Sequence, residues 1–457
     1  MQEILFQDML KAVGGESSVD FGQQAFEEVS TDSRTIRPGS VFFAIVGERL
    51  NGHHYVDTAL EKGAAAAVVS QKGEYRGGPL IYVPDTTEAL CRLARFYRSR
   101  FSPMVVAVTG SVGKTTTKEM IYAVLSSAGP TLKTQGNLNN EIGLPKTLLE
   151  LEKKHRYAVI EMGMSNLGEI ARLSRTTCPN IGVVTNIGVS HLETLLTREN
   201  ILRAKLEILE GMTKGSPLIL NLDNDLLSTV VLKEHPVLTY GIRNPAAQFL
   251  GTQIQESGSS TTFVLQEASG KRTQVTIPCI GTHNVLNALA AFVIGLEAGL
   301  EREQIAQALL RYEPSGMRQR IVQCRGITVI EDCYNASPDS MAAALSILAG
   351  LKVQGKRIAV LGDMLELGVL SQKAHEDLGC LAVEKGVDLL LCFGEQCRLT
   401  VESAKKAGLS DAWHFESKEA LCLKLLKVAQ PGDLILCKGS RSMAMEQVLQ
   451  RFYSQQI

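Results

Sequence analysis

The run Thr109-Gly-Ser-Val-Gly-Lys-Thr-Thr-Thr117 is where this chain most plainly carries chemistry. It follows the apolar stretch Met104-Val-Val-Ala-Val108 and precedes a helix-like segment, which makes it a turn from strand to helix. Gly110 and Gly113 let backbone N–H groups close around phosphate oxygens, Lys114 can reach a terminal phosphate, and Thr115 offers a hydroxyl to Mg²⁺. Five residues before Gly113 stands Val108 rather than the usual glycine, so this is a contracted phosphate loop. Carboxylates at other strand ends are the natural metal ligands beside it. Glu161 ends Tyr157–Ile160 and is followed by Met-Gly-Met-Ser, which leaves room for a cation. Taken alone, Glu161 is less often a solvated strand end than a metal ligand in this setting, whereas His191 is more often a structural histidine and Lys205 a solvated helix lysine.

Positioning this loop requires a mostly parallel sheet wrapped by helices. Strands at Ala158–Ile160, Ile181–Val184 and Pro217–Leu220 alternate with helical stretches, which puts the loop at the carboxyl edge of such a sheet. Alternation over 249–279 predicts an antiparallel appendage, followed by a helix over Asn284–Gly299. Ahead of this region, strand-like runs at Ser40–Val46, Ala64–Val69 and Leu80–Val83 and a helix over Thr87–Arg98 form a small α/β series. Behind it, after Pro314-Ser-Gly316, strands at Ile327–Ile330, Arg357–Leu361, Leu389–Phe393 and Asp433–Leu436 form another. The fold class expected is therefore α/β in three domains: a small N-terminal domain over 1–100, a central phosphate-loop parallel-sheet ATPase domain over 101–315, and a doubly wound C-terminal domain over 316–457.

The 457 residues suit two to four domains, and 47 basic against 48 acidic residues (net charge −1) leave no footprint for nucleic acid or an anionic membrane. Ten scattered cysteines without a C-x-x-C pair fit reduced, cytoplasmic thiols rather than a zinc or disulfide framework. No apolar run approaches the roughly 18 residues of a membrane span.

Several blocks read together resemble the Mur ligase family of ATP-dependent amide ligases. They are Gly110–Thr117, Asn137-Leu-Asn-Asn-Glu-Ile-Gly143, Glu161-Met-Gly163, Asn186-Ile-Gly188 with His191, Ala204-Lys205, and Gly281-Thr-His-Asn284 with Asn287. Asp332–Ser340, Leu361-Gly-Asp-Met-Leu-Glu-Leu-Gly368 and Lys438–Glu446 resemble the member that uses UDP-N-acetylmuramoyl-tripeptide and D-alanyl-D-alanine. Thr31-Asp-Ser-Arg34, Phe42-Phe-Ala44 and Gly47…Asn51-Gly-His53 are similar to its uridine-nucleotide domain. The resemblance implies that Gly110, Ser111, Val112, Gly113, Lys114, Thr115 and Thr116 bind the ATP phosphates. Asn284, Asp332, Tyr334 and Asn335 would hold adenine and ribose. Ser33, Arg34, Gly47, Asn51, Gly52, His53, Asn139 and Asn140 would contact the nucleotide-linked substrate or its acyl group. It also implies two Mg²⁺ ions on Thr115, Glu161, His191 and Lys205, the lysine being often carbamylated in this family, and a catalytic Arg318 near the domain junction. A monomer is expected. A remote Mur-type relative, folylpolyglutamate synthase, lacks such an N-terminal domain; a nucleotide-switched binding protein is the rival from another class.

Overall fold

A computed structural model describes residues 1–457 apart from 48, 49, 74, 315, 456 and 457. Beside a two-stranded pair of Ile4–Leu5 with Ala25–Phe26, apolar runs build three larger sheets in chain order. The first has the order Glu16–Ser17, Leu80–Tyr82, Ala66–Val69, Val41–Phe43 and Val29–Ser30, parallel except at the Glu16 edge. The predicted helix beside it spans Thr86–Ser99 and starts where Asp85 accepts from the N–H groups of Thr87 and Glu88. Tyr97 on this helix is fully buried and donates to Leu151 O, tying the first unit to the second.

Nine strands form the central sheet, in the order Arg272–Ile277, Ser260–Glu267, Phe249–Ser257, Val237–Gly241, Leu218–Asn221, Ile181–Val184, Met104–Thr109, Tyr157–Glu161 and Thr131–Lys133. The antiparallel residues near 249–279 are therefore not a separate appendage: Phe249–Ser257 pairs parallel with Val237–Gly241, and the later two strands extend the same sheet. Met104–Thr109 lies between strands that follow it in both directions, the switch point at whose carboxyl end a crevice opens. The helix that carries Lys205 is an α-helix over Arg198–Leu206, which tightens into a 3₁₀ turn, Glu207–Gly211. The tightening has a cause: Glu207 turns aside to accept from Gly168 N–H at 2.8 Å, and Gly211 lies so close to the Ser174 carbonyl that no side chain fits.

The third sheet runs Arg320–Cys324, Ile327–Asp332, Leu434–Lys438, Arg357–Gly362, Leu389–Phe393 and Ala412–Phe415, parallel but for its first strand. Ile280, from the central chain, packs into its apolar core with Ile330 and Ile347. Of the junction Pro314-Ser315-Gly316, Ser315 lies outside the described residues, and Gly316 has φ +70°. All ten cysteines are free, and among the described residues no helix is long and apolar enough to cross a membrane.

One cation is sealed inside the central layer. Lys118, on the helix Lys114–Ser126, is 0% exposed. Its ammonium donates to Thr134 O at 2.8 Å and lies 3.1 Å from Glu119 and 3.7 Å from Glu161. Removing one member of such a buried set strands the others, at a cost of about 3–5 kcal/mol. Lys118→Met is therefore expected to lower the unfolding free energy by about that amount. Urea denaturation of the two proteins checks it, and a loss under about 1 kcal/mol would contradict it.

Candidate active site

The contracted loop takes its shape from the neighbouring strand end. Gly110 has φ +151°, and a Cβ there would collide with the Thr185 hydroxyl, which itself donates to Val112 O at 2.6 Å. Asn186 clasps the loop: its carbonyl accepts from Ser111 N–H at 3.0 Å and its side chain from Val112 N–H at 2.8 Å. Those two donors thus serve loop closure, although Ser111 and Val112 line the cavity. Phosphate oxygens are left the first turn of the helix Lys114–Ser126, where the N–H groups of Lys114, Thr115 and Thr116 have no intrahelical partners. Lys114 rests on Gly110 O at 2.7 Å, and its pKa is lowered, first by loss of water around it and then by Arg318, against the pull of Glu161.

A cavity of about 440 Å³ joins this loop to the third sheet. Ser111, Val112, Gly113, Lys114, Thr115, Thr116, Asn139, Asn140, Glu161, His191, Asn284, Arg318, Asp332, Tyr334 and Asn335 all line it. Gly110 stands behind the loop, and Lys205 does not reach the wall.

Glu161 is 1% exposed, and its carboxylate accepts from the Thr115 hydroxyl and from the Asn139 amide, each at 2.8 Å. A buried carboxylate touching a hydroxyl at the start of a phosphate-binding helix is a set of hard oxygen donors, and it fits Mg²⁺. His191, with φ +64° before the short helix Leu192–Leu195, presents its ring on the same wall. Lys205 is 2% exposed, and its amine has no hydrogen-bond or ion-pair partner among the described residues. Burial, helped by the nearby charge of Lys114, drives its pKa well below the ordinary lysine value, which favours the neutral amine that reacts with CO₂.

Opposite the loop, Arg318 lies over the Tyr334 ring with its guanidinium carbon 3.8 Å from the centroid. Asp332 is gripped by Lys438 at 2.7 Å, and the same ammonium donates to Asn335 O. Asn284, 3% exposed, donates to Ile280 O and to Gln319, whose amide in turn donates to His283 Nε2 at 2.6 Å. Burial lowers the His283 pKa. Sequence reasoning passed over His283, Asn287, Tyr312, Gln319 and Lys438, which also line the cavity. His283, Asn287 and Lys438 fall within blocks that carried the family resemblance; Tyr312 and Gln319 had no such signal.

The N-terminal candidates lie apart from this cavity. Arg34 is exposed and holds the Asp32 carboxyl down at about 2 through a bidentate contact, while Lys62 donates to Ser33 O. Lys146 of the central unit reaches Thr31 at 3.4 Å. His53 is buried; Nδ1 meets Asn51 Oδ1, and Nε2 accepts from Ser70 N–H, so both ring nitrogens are engaged internally. Gly52 packs where a Cβ would lie 2.7 Å from Ile45 N and O, and Gly47 N–H bonds Leu50 O. Asn140 caps the helix Gly143–Leu148 through Gly143 N–H.

Comparison with known proteins agrees with this architecture over the whole chain. Residues 25–98, 108–295 and 317–441 match the family models described as Mur ligase family catalytic domain, Mur ligase middle domain, and Mur ligase glutamate ligase domain. The UDP-N-acetylmuramoyl-tripeptide–D-alanyl-D-alanine ligase of Bacillus subtilis is 37% identical over 433 residues, covering 94% of this chain and 93% of the relative. Its Escherichia coli counterpart is 38% identical over 428 residues, 93% of each. A crystal structure of MurF from Acinetobacter baumannii superposes with a TM-score of 0.91 at 31% identity, covering 99% of both chains. MurF ligase from Thermotoga maritima in complex with ADP gives 0.82 at 29% identity, over 94% of this chain and 97% of that one. With three domain matches in order, whole-length relatives above 30% identity and a shared fold, this chain belongs to the Mur ligase family.

Proposed function

We propose that the chain is the ATP-dependent amide ligase that adds D-alanyl-D-alanine to UDP-N-acetylmuramoyl-tripeptide, a step of peptidoglycan precursor synthesis. One observation carries the geometry: a phosphate loop with Lys114, the buried Thr115–Glu161 donor pair and the Asn284–Asp332–Tyr334 wall share a single cavity. The curated relatives bear that ligase's name over more than nine-tenths of their length.

In this reading residues 1–100 receive the UDP-linked substrate through Ser33, Arg34 and the Gly47–His53 loop. Residues 101–315 hold ATP, and residues 316–457 cover the nucleotide and the amine. The tripeptide carboxylate attacks the γ-phosphorus of ATP, ADP leaves, and an acyl phosphate remains. The neutral amine of D-alanyl-D-alanine attacks the acyl carbon, and inorganic phosphate departs. The helix N-terminus at Lys114–Thr116 and the Lys114 ammonium stabilise charge on the transferring group. Thr115 would hold one Mg²⁺; Glu161, His191 and a carbamylated Lys205 would hold a second. When bound, the cations neutralise the phosphoryl oxygens and orient the attacking carboxylate. Arg318 stacked on Tyr334 and Lys438 behind Asp332 keep the nucleoside wall in place and water out. We further assign the enzyme to the cytoplasm, where its ten free cysteines would stay reduced, and read it as a monomer.

The decisive measurement is phosphate release from ATP with each substrate withheld in turn. Release that requires both the UDP-linked tripeptide and D-alanyl-D-alanine is expected; release independent of the amine would favour a nucleotide switch instead. Lys114→Ala should lower turnover at least about 10²-fold with the fold intact, since a charge aimed at the transition state is lost. Lys205→Ala should abolish ligation, with partial recovery on adding small carboxylic acids that replace the carbamate oxygens. Intact-mass measurement in bicarbonate buffer should show the CO₂ adduct on the native protein, and an unmodified Lys205 in active enzyme would refute the carbamate.

A further inference from the structure

His191 and Glu366 make a contact between the second and third units that the reaction scheme above leaves unused. The Nδ1 atom of His191 lies 3.0 Å from a carboxylate oxygen of Glu366. An ionised carboxylate only accepts, so Nδ1 carries the proton, which in the neutral ring leaves the lone pair on Nε2. His191 lines the ATP cavity and Glu366 does not; the carboxylate stands behind the ring. Glu366 reaches this place on the segment between the strand Arg357–Gly362 and the turn Gly368–Leu370. That segment is seated on the central unit at several points. Leu370 packs against the cluster holding Leu192 and Leu195, Val189 packs against the third unit's core, and a Cβ at Gly368 would lie 3.2 Å from Glu193 Cα. Both bonded residues are left-handed without being glycine, His191 at φ +64° and Glu366 at φ +63°, a disfavoured conformation that persists where packing on both sides imposes it.

We propose that Glu366 is a positioning residue for the metal centre: by accepting from His191 Nδ1–H it fixes the ring with Nε2 available to a divalent cation, and it does so only when the third unit is docked. The inference rests on reading His191 as a metal ligand. A carboxylate on the far nitrogen fixes the tautomer of a ligating imidazole and strengthens it as a donor. Cation binding and docking of the third unit are then linked, and each tightens the other.

Mn²⁺ is the probe, with full-length protein and ADP, and free Mn²⁺ is read by electron paramagnetic resonance. Glu366→Ala should weaken Mn²⁺ binding about 10–100-fold. Glu366→Gln should weaken it less, because its amide oxygen still accepts from Nδ1–H. Thermal unfolding should not change, as the Glu366 side chain is 64% exposed. In the metal-free protein, imidazole ¹⁵N shifts should report a single Nδ1–H tautomer for His191, and a mixture in Glu366→Ala. His191→Ala separates the two layers of the argument. If it leaves Mn²⁺ binding unchanged, the metal reading falls and this proposal with it. If His191→Ala weakens binding while Glu366→Ala binds Mn²⁺ like the native enzyme, the metal reading stands and the positioning role is overturned.

Discussion

A positive charge that water never reaches organises the centre of this molecule. Lys118 is closed between its helix and the ends of two strands, where Thr134 O, Glu119 and Glu161 are its partners. Its ammonium lies 3.7 Å from Glu161, and Glu161 in turn fixes Thr115 at the start of the loop helix and Asn139 on the facing loop. Lys133 completes the series on the outer side of Glu119. Alternating signs along Lys133, Glu119, Lys118 and Glu161 keep the buried net charge near zero while delivering one anionic oxygen to the cavity. The catalytic geometry is thus an outgrowth of how the central layer solves its own electrostatics.

Much of this was legible in the chain. Uninterrupted apolar runs such as Met104–Val108 and Leu389–Phe393 form strands buried on both faces, and runs of that kind announce a parallel sheet. Thr131–Lys133 was not legible: three residues, one of them a lysine bound to Glu119, have no period to read, yet they pair with Tyr157–Val159. The 3₁₀ turn at Glu207–Gly211 depends on a carboxylate finding Gly168, which lies 39 positions away, and no local pattern contains that. At the site, glycines and lysine in one short loop marked the candidate phosphate site, whereas Tyr312 and Gln319 join it only because folding brings them to the same wall.

The block Leu361–Gly368 shows why a motif can be recognised without being understood. Asp363 caps a different element, accepting from Cys397 N–H at 2.8 Å, and the buried His375 beside it accepts from Met364 N–H and contacts Ser371 O. Those polar groups satisfy one another and tie strand ends to helix starts within the third unit. Three positions later, Glu366 faces outward to the other unit. One short run therefore does two jobs, internal stapling and external contact, and spacing alone does not divide them.

Gly110 and Thr185 meet so closely that each defines the other. A side chain at Gly110 has no room because the Thr185 hydroxyl is there, and that hydroxyl is there to hold Val112 O. Asn186, the next residue, accepts from two of the loop's N–H groups, those of Ser111 and Val112. The short loop is therefore half of a two-part object whose second half lies about seventy residues downstream. Grafted into another strand–helix turn without its Thr-Asn clasp, the glycine-lysine run would lose the template that holds its curvature. A substitution in either half is tolerated only where the other half can match it, so loop and clasp act as one unit.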